Sequence, residues 1–313
     1  MTEAVSRTAI LMAALMMGGC GSQSIAAQKD DSLSSVRRPG SRASTAAVGR
    51  VSHAPIVEGP GQPGPGWKRV ATIGGRPAAW IAQRSGVTLL RFDQRLVHLA
   101  LHAGSSEPGG QGWTYEDHIG TSEIHRVVAA FNGGFKLSNG SVGFMADGRV
   151  VVPIAGGLGS IVTYQNGTTQ IGAWHEGVPT RRLTVVSVLQ NLHLLVDHGA
   201  AAPTVETCIR ACWGLTLGGG PEVARSALGI TGDGQLVWAA GEHLSPAMIA
   251  HALVDAGVVR AVQLDINPEW IAGYLYLHHG GGPTAAPLVP GQFGIPGRFL
   301  APYGRDFFTV LVN

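Results

Sequence analysis

Two carboxylates, an amide and an indole follow an apolar run near the C-terminal end of the sequence. The run Val258–Asp265 is expected to be a buried strand that ends in a carboxylate, and Asn267, Glu269 and Trp270 come soon after it. Carboxylates beside an aromatic platform suit a site that cleaves or binds sugars. The simpler interpretation is that Asp265 caps the next turn. We treat Asp265 and Glu269 as candidate catalytic residues, and Asn267 and Trp270 as candidate substrate-binding residues.

A second polar group stands at the end of an earlier apolar run, Val127–Phe131. Asn132 is followed by Gly133 and Gly134, and two glycines permit a sharp turn and a close approach of a ligand to the backbone. The Asn132 amide can donate and accept hydrogen bonds. The segment could equally be a plain Asn-Gly turn. We keep Asn132, Gly133 and Gly134 as candidate substrate-binding residues.

Two further runs carry charged side chains at one end. Leu192–Val196 leads to Asp197 and His198, which would supply a second carboxylate and a substrate-binding group, although Asp-His-Gly is more often a turn. Arg225 begins the run that ends at Ile230. A guanidinium held there could clamp an oxyanion through two parallel hydrogen bonds, or could simply pair with a neighbouring carboxylate.

Many short strands must position these groups. Asp147-Gly148, Asn166-Gly167 and Asp233-Gly234 separate apolar runs, and such pairs favour the tight turns of β-hairpins. The predicted strands are Val70–Ile73, Ala78–Ile81, Val87–Phe92, Leu96–Leu101, Val127–Phe131, Ile161–Tyr164, Val185–Leu189, Leu192–Val196, Leu236–Ala240, Ala261–Leu264 and Phe307–Val312.

One helix is clearly indicated and a second is expected around residues 115–125. Ser245 can cap the first helix, Pro246 suits its first turn, and Gly257 supplies a left-handed stop. Strands with a few helices predict an α+β fold, in which helices pack on a mostly antiparallel or mixed sheet.

The N-terminal segment predicts export. A basic residue precedes the apolar run Ala9–Met17, which is too short to span a bilayer and ends in Gly-Gly-Cys20, as in a lipoprotein signal peptide. We predict a signal peptide over 1–20, a disordered Ser/Gly/Pro-rich tether over 21–66 and a folded domain over 67–313. Acylated Cys20 would anchor the protein to the membrane. The alternative is ordinary cleavage nearby, which would leave a secreted protein.

Export makes a disulfide between Cys208 and Cys212 the favoured interpretation of the remaining cysteines. A metal site would need more ligands than Glu206 nearby, so we predict no metal ligands and no cofactor and leave metal dependence open. The formal net charge of +2 does not indicate a nucleic-acid partner.

Taken in order, these segments resemble the phosphodiester glycosidase family. The similar pieces are Asn132–Phe135, Arg225–Gly229 with Asp233-Gly234, Leu244–Gly257 and Leu264-Asp265. Family members continue after the aspartate with three glycines and a serine, whereas Ile266-Asn267-Pro268-Glu269 follows here. Glycine N–H groups in a tight turn suit an anion, and proline has no N–H to offer. This chain therefore resembles a variant that lacks the glycine-rich turn.

The resemblance implies an envelope hydrolase that cleaves a sugar phosphodiester or a related glycosidic linkage in cell-envelope glycopolymers. The alternatives are a non-catalytic glycan-binding lipoprotein on the same fold, or a purely structural envelope protein. The implied roles are phosphate binding for Arg225, a carboxylate near the anomeric carbon for Asp265, contacts with sugar hydroxyls for Asn132 and Asn267, and positioning of water for Asp197 or Glu269.

Overall fold

Strand-forming runs dominate the chain and pair into three sheets. The computed structural model describes residues 63–139, 142–279 and 282–313, so the predicted signal peptide, Cys20 and most of the predicted tether lie outside the described residues. The strands are β1 (Lys68–Ile73), β2 (Arg76–Arg84), β3 (Val87–Phe92), β4 (Val97–His102), β5 (Val127–Asn132), β6 (Val142–Ala146), β7 (Arg149–Val152), β8 (Gly159–Tyr164), β9 (Thr169–Ala173), β10 (Val185–Asn191), β11 (Leu194–Asp197), β12 (Ala200–Ala201), β13 (Val223–Thr231), β14 (Leu236–Leu244), β15 (Val258–Ile266), β16 (Gly273–His279), β17 (Gly282–Pro287) and β18 (Phe307–Val312). The α-helices are α1 (Thr204–Thr207), α2 (Ile209–Trp213) and α3 (Pro246–Asp255).

The strand order places β15 and β18, which carry the candidate site, inside their sheets. Sheet A has the order β1-β2-β3-β14-β13-β15-β11-β12, sheet B the order β7-β6-β10-β8-β9, and sheet C the order β17-β16-β5-β18-β4. The paired strands of the described chain run antiparallel. The turns predicted at Asp147-Gly148, Asn166-Gly167 and Asp233-Gly234 connect β6 to β7, β8 to β9 and β13 to β14.

The main apolar core is shared by all three sheets. Trp238 of sheet A, Phe144 of sheet B and Phe131 and Phe308 of sheet C belong to one buried cluster. Because side chains alternate along a strand, the neighbours of Trp238 face the other side of sheet A, where α3 packs on them. The helix cap is the predicted one: the Ser245 side chain accepts a hydrogen bond from the Met248 N–H at 3.2 Å.

The predicted α+β class is wrong, since the fold is mostly antiparallel β. Among the α-helices of the described residues, only α3 is longer than five residues. The helix predicted over 115–125 is a series of turns. Tertiary hydrogen bonds explain this, because the Ile119 N–H donates to the Phe299 carbonyl at 2.8 Å and the Asp117 carbonyl accepts from Tyr303 at 2.8 Å. No helix in the described ranges has the length and apolar character that a membrane crossing requires.

Candidate functional site

Asp265 lies near the end of β15 and is 5% exposed. Its Oδ1 accepts a hydrogen bond from the Ile266 N–H at 2.7 Å. Its Oδ2 lies 2.8 Å from Nη1 of Arg305, which precedes β18 in sheet C. An ion pair between β15 of sheet A and the segment just before β18 of sheet C therefore links the two sheets at the candidate site.

Arg305 is the hub of this cluster. Besides Asp265, its Nη2 donates to the Gly134 carbonyl at 2.7 Å, and its Nε lies 3.7 Å from the Glu107 carboxylate. The guanidinium carbon lies 4.7 Å from the centroid of the Trp270 ring, which is a cation–π distance. These contacts fix the guanidinium at the floor of the site.

Asp306 is a second buried carboxylate beside the Asn132-Gly133-Gly134 segment. Its Oδ2 accepts from the Gly134 N–H at 3.0 Å, while its buried Oδ1 has no hydrogen-bond partner within the described part of the chain. A Cβ on Gly133 would overlap the Asp306 carboxylate, so this position requires glycine. Gly133, which was predicted to bind substrate, thus makes room for a carboxylate of the protein itself, and the Gly134 N–H donates to that carboxylate.

Both carboxyl groups titrate near neutral pH. Burial raises the pKa of Asp265 to about 7, and the nearby Arg305 guanidinium opposes this rise. Burial likewise raises the pKa of Asp306 to about 6, again against the charge of Arg305. Desolvation disfavours the ionised form of each carboxyl more than the single guanidinium favours it.

A cavity of about 570 Å³ opens over Asp265 and Arg305. Lys136 and Arg210 also line it, together with Trp270, so three cations face one carboxylate among the described lining residues. The Lys136 Nζ lies 5.4 Å from the centroid of the Trp270 ring, which therefore contacts two of the cations. Such a cavity favours an anionic ligand.

Asn267 lines the same cavity from the turn after β15. Its φ of 75° lies in the left-handed region, which asparagine tolerates better than most residues. Its Oδ1 accepts from the Leu217 N–H at 2.8 Å, and its Nδ2 donates to the Leu215 carbonyl at 3.4 Å. The Asn267 amide therefore holds the loop after α2 against the cavity.

Asn132 lies behind the cavity and does not line it. Its Nδ2 donates to the Gly133 carbonyl and to Ser226 Oγ, both at 2.9 Å, and its Oδ1 accepts from the Ala272 N–H at 3.3 Å. It is 3% exposed. Its hydrogen-bonding groups hold the backbone that carries Gly133 and Gly134.

Arg225 is fully buried and is also absent from the cavity wall. It donates to the carbonyls of Leu244, Trp213 and Pro221 at 2.8–3.2 Å and to the Gln263 side chain at 3.0 Å. These acceptors are uncharged, and burial lowers the pKa of Arg225 to about 10. Arg225 thus holds β13, β14, β15 and the end of α2 together.

Asp197, His198 and Glu269 do not line the cavity. The Asp197 carboxylate is 3.4 Å from Arg260 Nε, and β11 pairs with β15 around Ala261, toward the end of β15 opposite to Asp265. His198 is exposed beside Asp197. Glu269 is exposed, and its carbonyl accepts from Arg298 at 3.2 Å.

Five residues of the site were not selected from the sequence: the cavity-lining cations Lys136 and Arg210, and Arg305, Asp306 and Asn191. Arg305 and Asp306 precede the apolar run Phe307–Val312, and charged residues at the end of an apolar run were the signal that selected Arg225. Asn191 ends β10, and its Nδ2 donates to the carbonyls of Gln263 and Leu264 at 2.7 and 2.8 Å. Asn191 directly precedes the predicted strand Leu192–Val196, whereas the predicted site residues Asp197 and His198 follow it.

Cys208 and Cys212 are bonded to each other. The disulfide spans the start of α2, and Arg210 and Ala211 of this helix line the cavity. It therefore restrains the helix that carries one of the cations. In the described ranges, no group of three or more His, Cys, Asp or Glu residues is arranged to hold a metal ion.

Comparison with known proteins shows low similarity. No family model matches the sequence, and no curated protein matches it significantly. The structure is similar to the catalytic domain of zebrafish N-acetylglucosamine-1-phosphodiester alpha-N-acetylglucosaminidase, described as auto-inhibited by its pro-peptide, with a TM-score of 0.47, 16% identity, and 79% of this chain and 81% of that chain covered. A hypothetical protein from Synechocystis has a TM-score of 0.40 at 15% identity, over 80% of this chain and 64% of that chain. A protein from Burkholderia pseudomallei has a TM-score of 0.41 at 11% identity, over 76% of this chain and 75% of that chain. At these values, membership of the phosphodiester glycosidase family stays a proposal.

Proposed function

We propose that this protein is a hydrolase that cleaves a sugar phosphodiester, or a related glycosidic linkage, in glycopolymers of the cell envelope. The observation that carries the proposal is the buried pair of Asp265 and Arg305 at the floor of a cavity that Lys136 and Arg210 also line. A neutral sugar chain has no charge to match these cations, whereas a sugar phosphodiester carries an anion beside its anomeric carbon.

Lys136 and Arg210 are the side chains that would bind the phosphate. Both are exposed, and neither forms an ion pair with another described residue, so both are available to a ligand. Arg305 already contacts protein acceptors and would act by orienting Asp265. This assignment moves the anion-binding role predicted for Arg225 to cations that line the cavity.

The ionised Asp265 carboxylate would stabilise the positive charge that develops at the anomeric carbon. The bond from this carbon to the phosphate-ester oxygen breaks, and the phosphate leaves as a weakly basic anion that needs little help from an acid. Water supplies the hydroxyl of the released sugar, and its proton passes to solvent. Loss of one charge-stabilising group of this kind costs about 3 kcal/mol, or roughly a hundredfold in rate.

A non-catalytic glycan-binding protein is the second candidate, and one observation favours it. Most glycosidases use two carboxyl groups across the scissile bond, and Asp265 is the single carboxylate among the described residues of the cavity wall. Asp306 is nearby but buried beneath Gly133 and Gly134. In this candidate the same cations would bind an anionic glycan without cleaving it.

Sugar release from an aryl phosphodiester of N-acetylglucosamine distinguishes the two candidates. We expect turnover by the purified protein and a roughly hundredfold lower kcat for Asp265→Asn and for Arg305→Gln. Asp197→Asn is the matched control, since this carboxylate lies elsewhere, and it should keep the parent rate. Equal rates for Asp265→Asn and the parent would refute the catalytic assignment. Saturable binding without turnover on a broad glycan panel would favour the second candidate.

We further propose export and anchoring through acylated Cys20. The apolar run Ala9–Met17 followed by Gly-Gly-Cys20 supports this proposal. Cells fed a labelled fatty acid should label the parent protein and leave Cys20→Ser unlabelled. Label on both forms, or on neither, would contradict the anchor.

A further inference from the structure

Exposed apolar side chains concentrate on two loops. Among the described residues, five large apolar side chains expose more than half of their surface, and four of these are Leu215, Leu217, Phe293 and Ile295, at 72%, 59%, 63% and 72%. Scattered single residues of this kind are ordinary, but grouped ones mark binding surfaces. We call these four residues the apolar rim.

Both loops are fastened to the turn 267–270 that forms part of the cavity wall. On one side, the Asn267 side chain bonds to the backbone of Leu215 and Leu217. On the other, Arg298 donates to the Glu269 carbonyl at 3.2 Å and to the Phe293 carbonyl at 3.0 Å. Leu215 itself lines the cavity. Leu215 of the apolar rim therefore lies at the cationic cavity, and the loop that carries Phe293 is linked through Arg298 to the turn beside it.

Cations next to exposed apolar groups match a ligand that is both anionic and apolar. Lys136 and Arg210 would bind the anionic group of the ligand, and the apolar rim would bury its hydrocarbon part away from water. A water-soluble sugar phosphodiester would bind to the cations but has no apolar part that could contact the apolar rim. A membrane lipid with a phosphate headgroup has both parts in the right order, with the charge next to the hydrocarbon chain.

Resting on the proposed function, we propose that the substrate is a lipid-linked sugar phosphodiester at a membrane surface. The phosphate and sugar enter the cavity, and the first part of the lipid chain lies on the apolar rim. Water then cleaves the bond between the anomeric carbon and the phosphate-ester oxygen. The products are the free sugar, which gains the hydroxyl, and the lipid monophosphate.

Binding of decyl phosphate, compared with inorganic phosphate, tests the rim without requiring turnover. On the full-length protein we expect decyl phosphate to bind at least about tenfold more tightly, and phosphate to compete with it. Leu217→Ser and Phe293→Ser/Ile295→Ser, whose side chains do not line the cavity, should each reduce this gain and leave phosphate affinity unchanged. The matched control is Met248→Ser/Leu277→Ser, a pair of apolar residues exposed on other elements, which should keep the full gain.

Unchanged phosphate affinity also shows that each variant is folded. Equal affinities for the two ligands, or a gain that survives in both rim variants, would overturn the proposal. Failure of the proposed function would give a different result. In that case neither a short-chain nor a long-chain sugar phosphodiester would be cleaved, but decyl phosphate would still bind more tightly than phosphate through the apolar rim. If turnover occurs, the long-chain substrate should have the higher kcat/KM, and the rim variants should lose that preference.

Discussion

The buried carboxyl of Asp265 should make the folded protein less stable as the pH rises, and Asp265→Asn should abolish that part of the pH dependence. Burial raises its pKa from 3.8 to about 7 in the folded protein, about three units at roughly 1.4 kcal/mol each. The folded state therefore holds a proton that the unfolded chain releases. The stabilisation from this bound proton is fully present below pH 3.8 and is lost as the pH rises through about 7. The free energy of unfolding therefore falls by about 4 kcal/mol between pH 4 and pH 8 on account of Asp265.

Urea unfolding of the parent and of Asp265→Asn, followed by tryptophan fluorescence from pH 4 to pH 8, measures this contribution. Other groups titrate in both proteins, so the informative quantity is the change with pH in the difference between their free energies of unfolding. We expect Asp265→Asn to gain about 4 kcal/mol relative to the parent across this range. Asp197→Asn should show no such change, because this carboxylate is half-exposed. A difference that stays constant within about 1 kcal/mol would refute the burial argument for Asp265.

Three other substitutions test separate parts of the site. If the ionised Asp265 carboxylate is the active form, kcat/KM should rise as the pH passes through about 7. Arg305→Gln should move this rise to higher pH, because Arg305 lowers the pKa of Asp265. An unchanged pH profile in Arg305→Gln would contradict the coupling of Arg305 to Asp265. Arg225→Met should lower the free energy of unfolding by about 3 kcal/mol or more, since it leaves buried acceptors unpaired, but should leave the pH profile of kcat/KM in place. Gly133→Ala should destabilise the protein by about 2 kcal/mol or more in urea unfolding through overlap with Asp306, whereas Gly220→Ala, with open space around it, should stay within about 0.5 kcal/mol of the parent.

The elements of the fold were largely predictable because they depend on local patterns. Strand runs, the Asp-Gly and Asn-Gly hairpins and the Ser245 cap follow from residues close together in the chain, and the structure confirms them. The predicted α+β class and the helix predicted over 115–125 were wrong because tertiary contacts determine the structure there. Hydrogen bonds to Phe299 and Tyr303 hold that segment in turns, and no local pattern reveals partners so distant in sequence.

The site was predictable only in part, for a related reason. The end of β15 was predicted to be a place where polar groups leave an apolar strand, and Asp265, Asn267 and Trp270 line one cavity there. A strand-end pattern does not tell which side of the sheet a side chain faces. Arg225 satisfies the same pattern as Arg305, yet it turns to carbonyls around α2 while Arg305 turns to Asp265. Only strand order and register separate the two.

The turn after Asp265 shows how the chain manages without the glycines of the family it resembles. Asn267 has a φ of 75°, a left-handed value that glycine and asparagine adopt more readily than other residues. Pro268 has no N–H to donate, so the turn loses a donor for an anion. The Asn267 side chain instead binds the backbone of Leu215 and Leu217, which glycine could not do. In the function that we propose, Lys136 and Arg210 bind the anion, and the turn positions Leu215 and Leu217 of the apolar rim beside these cations.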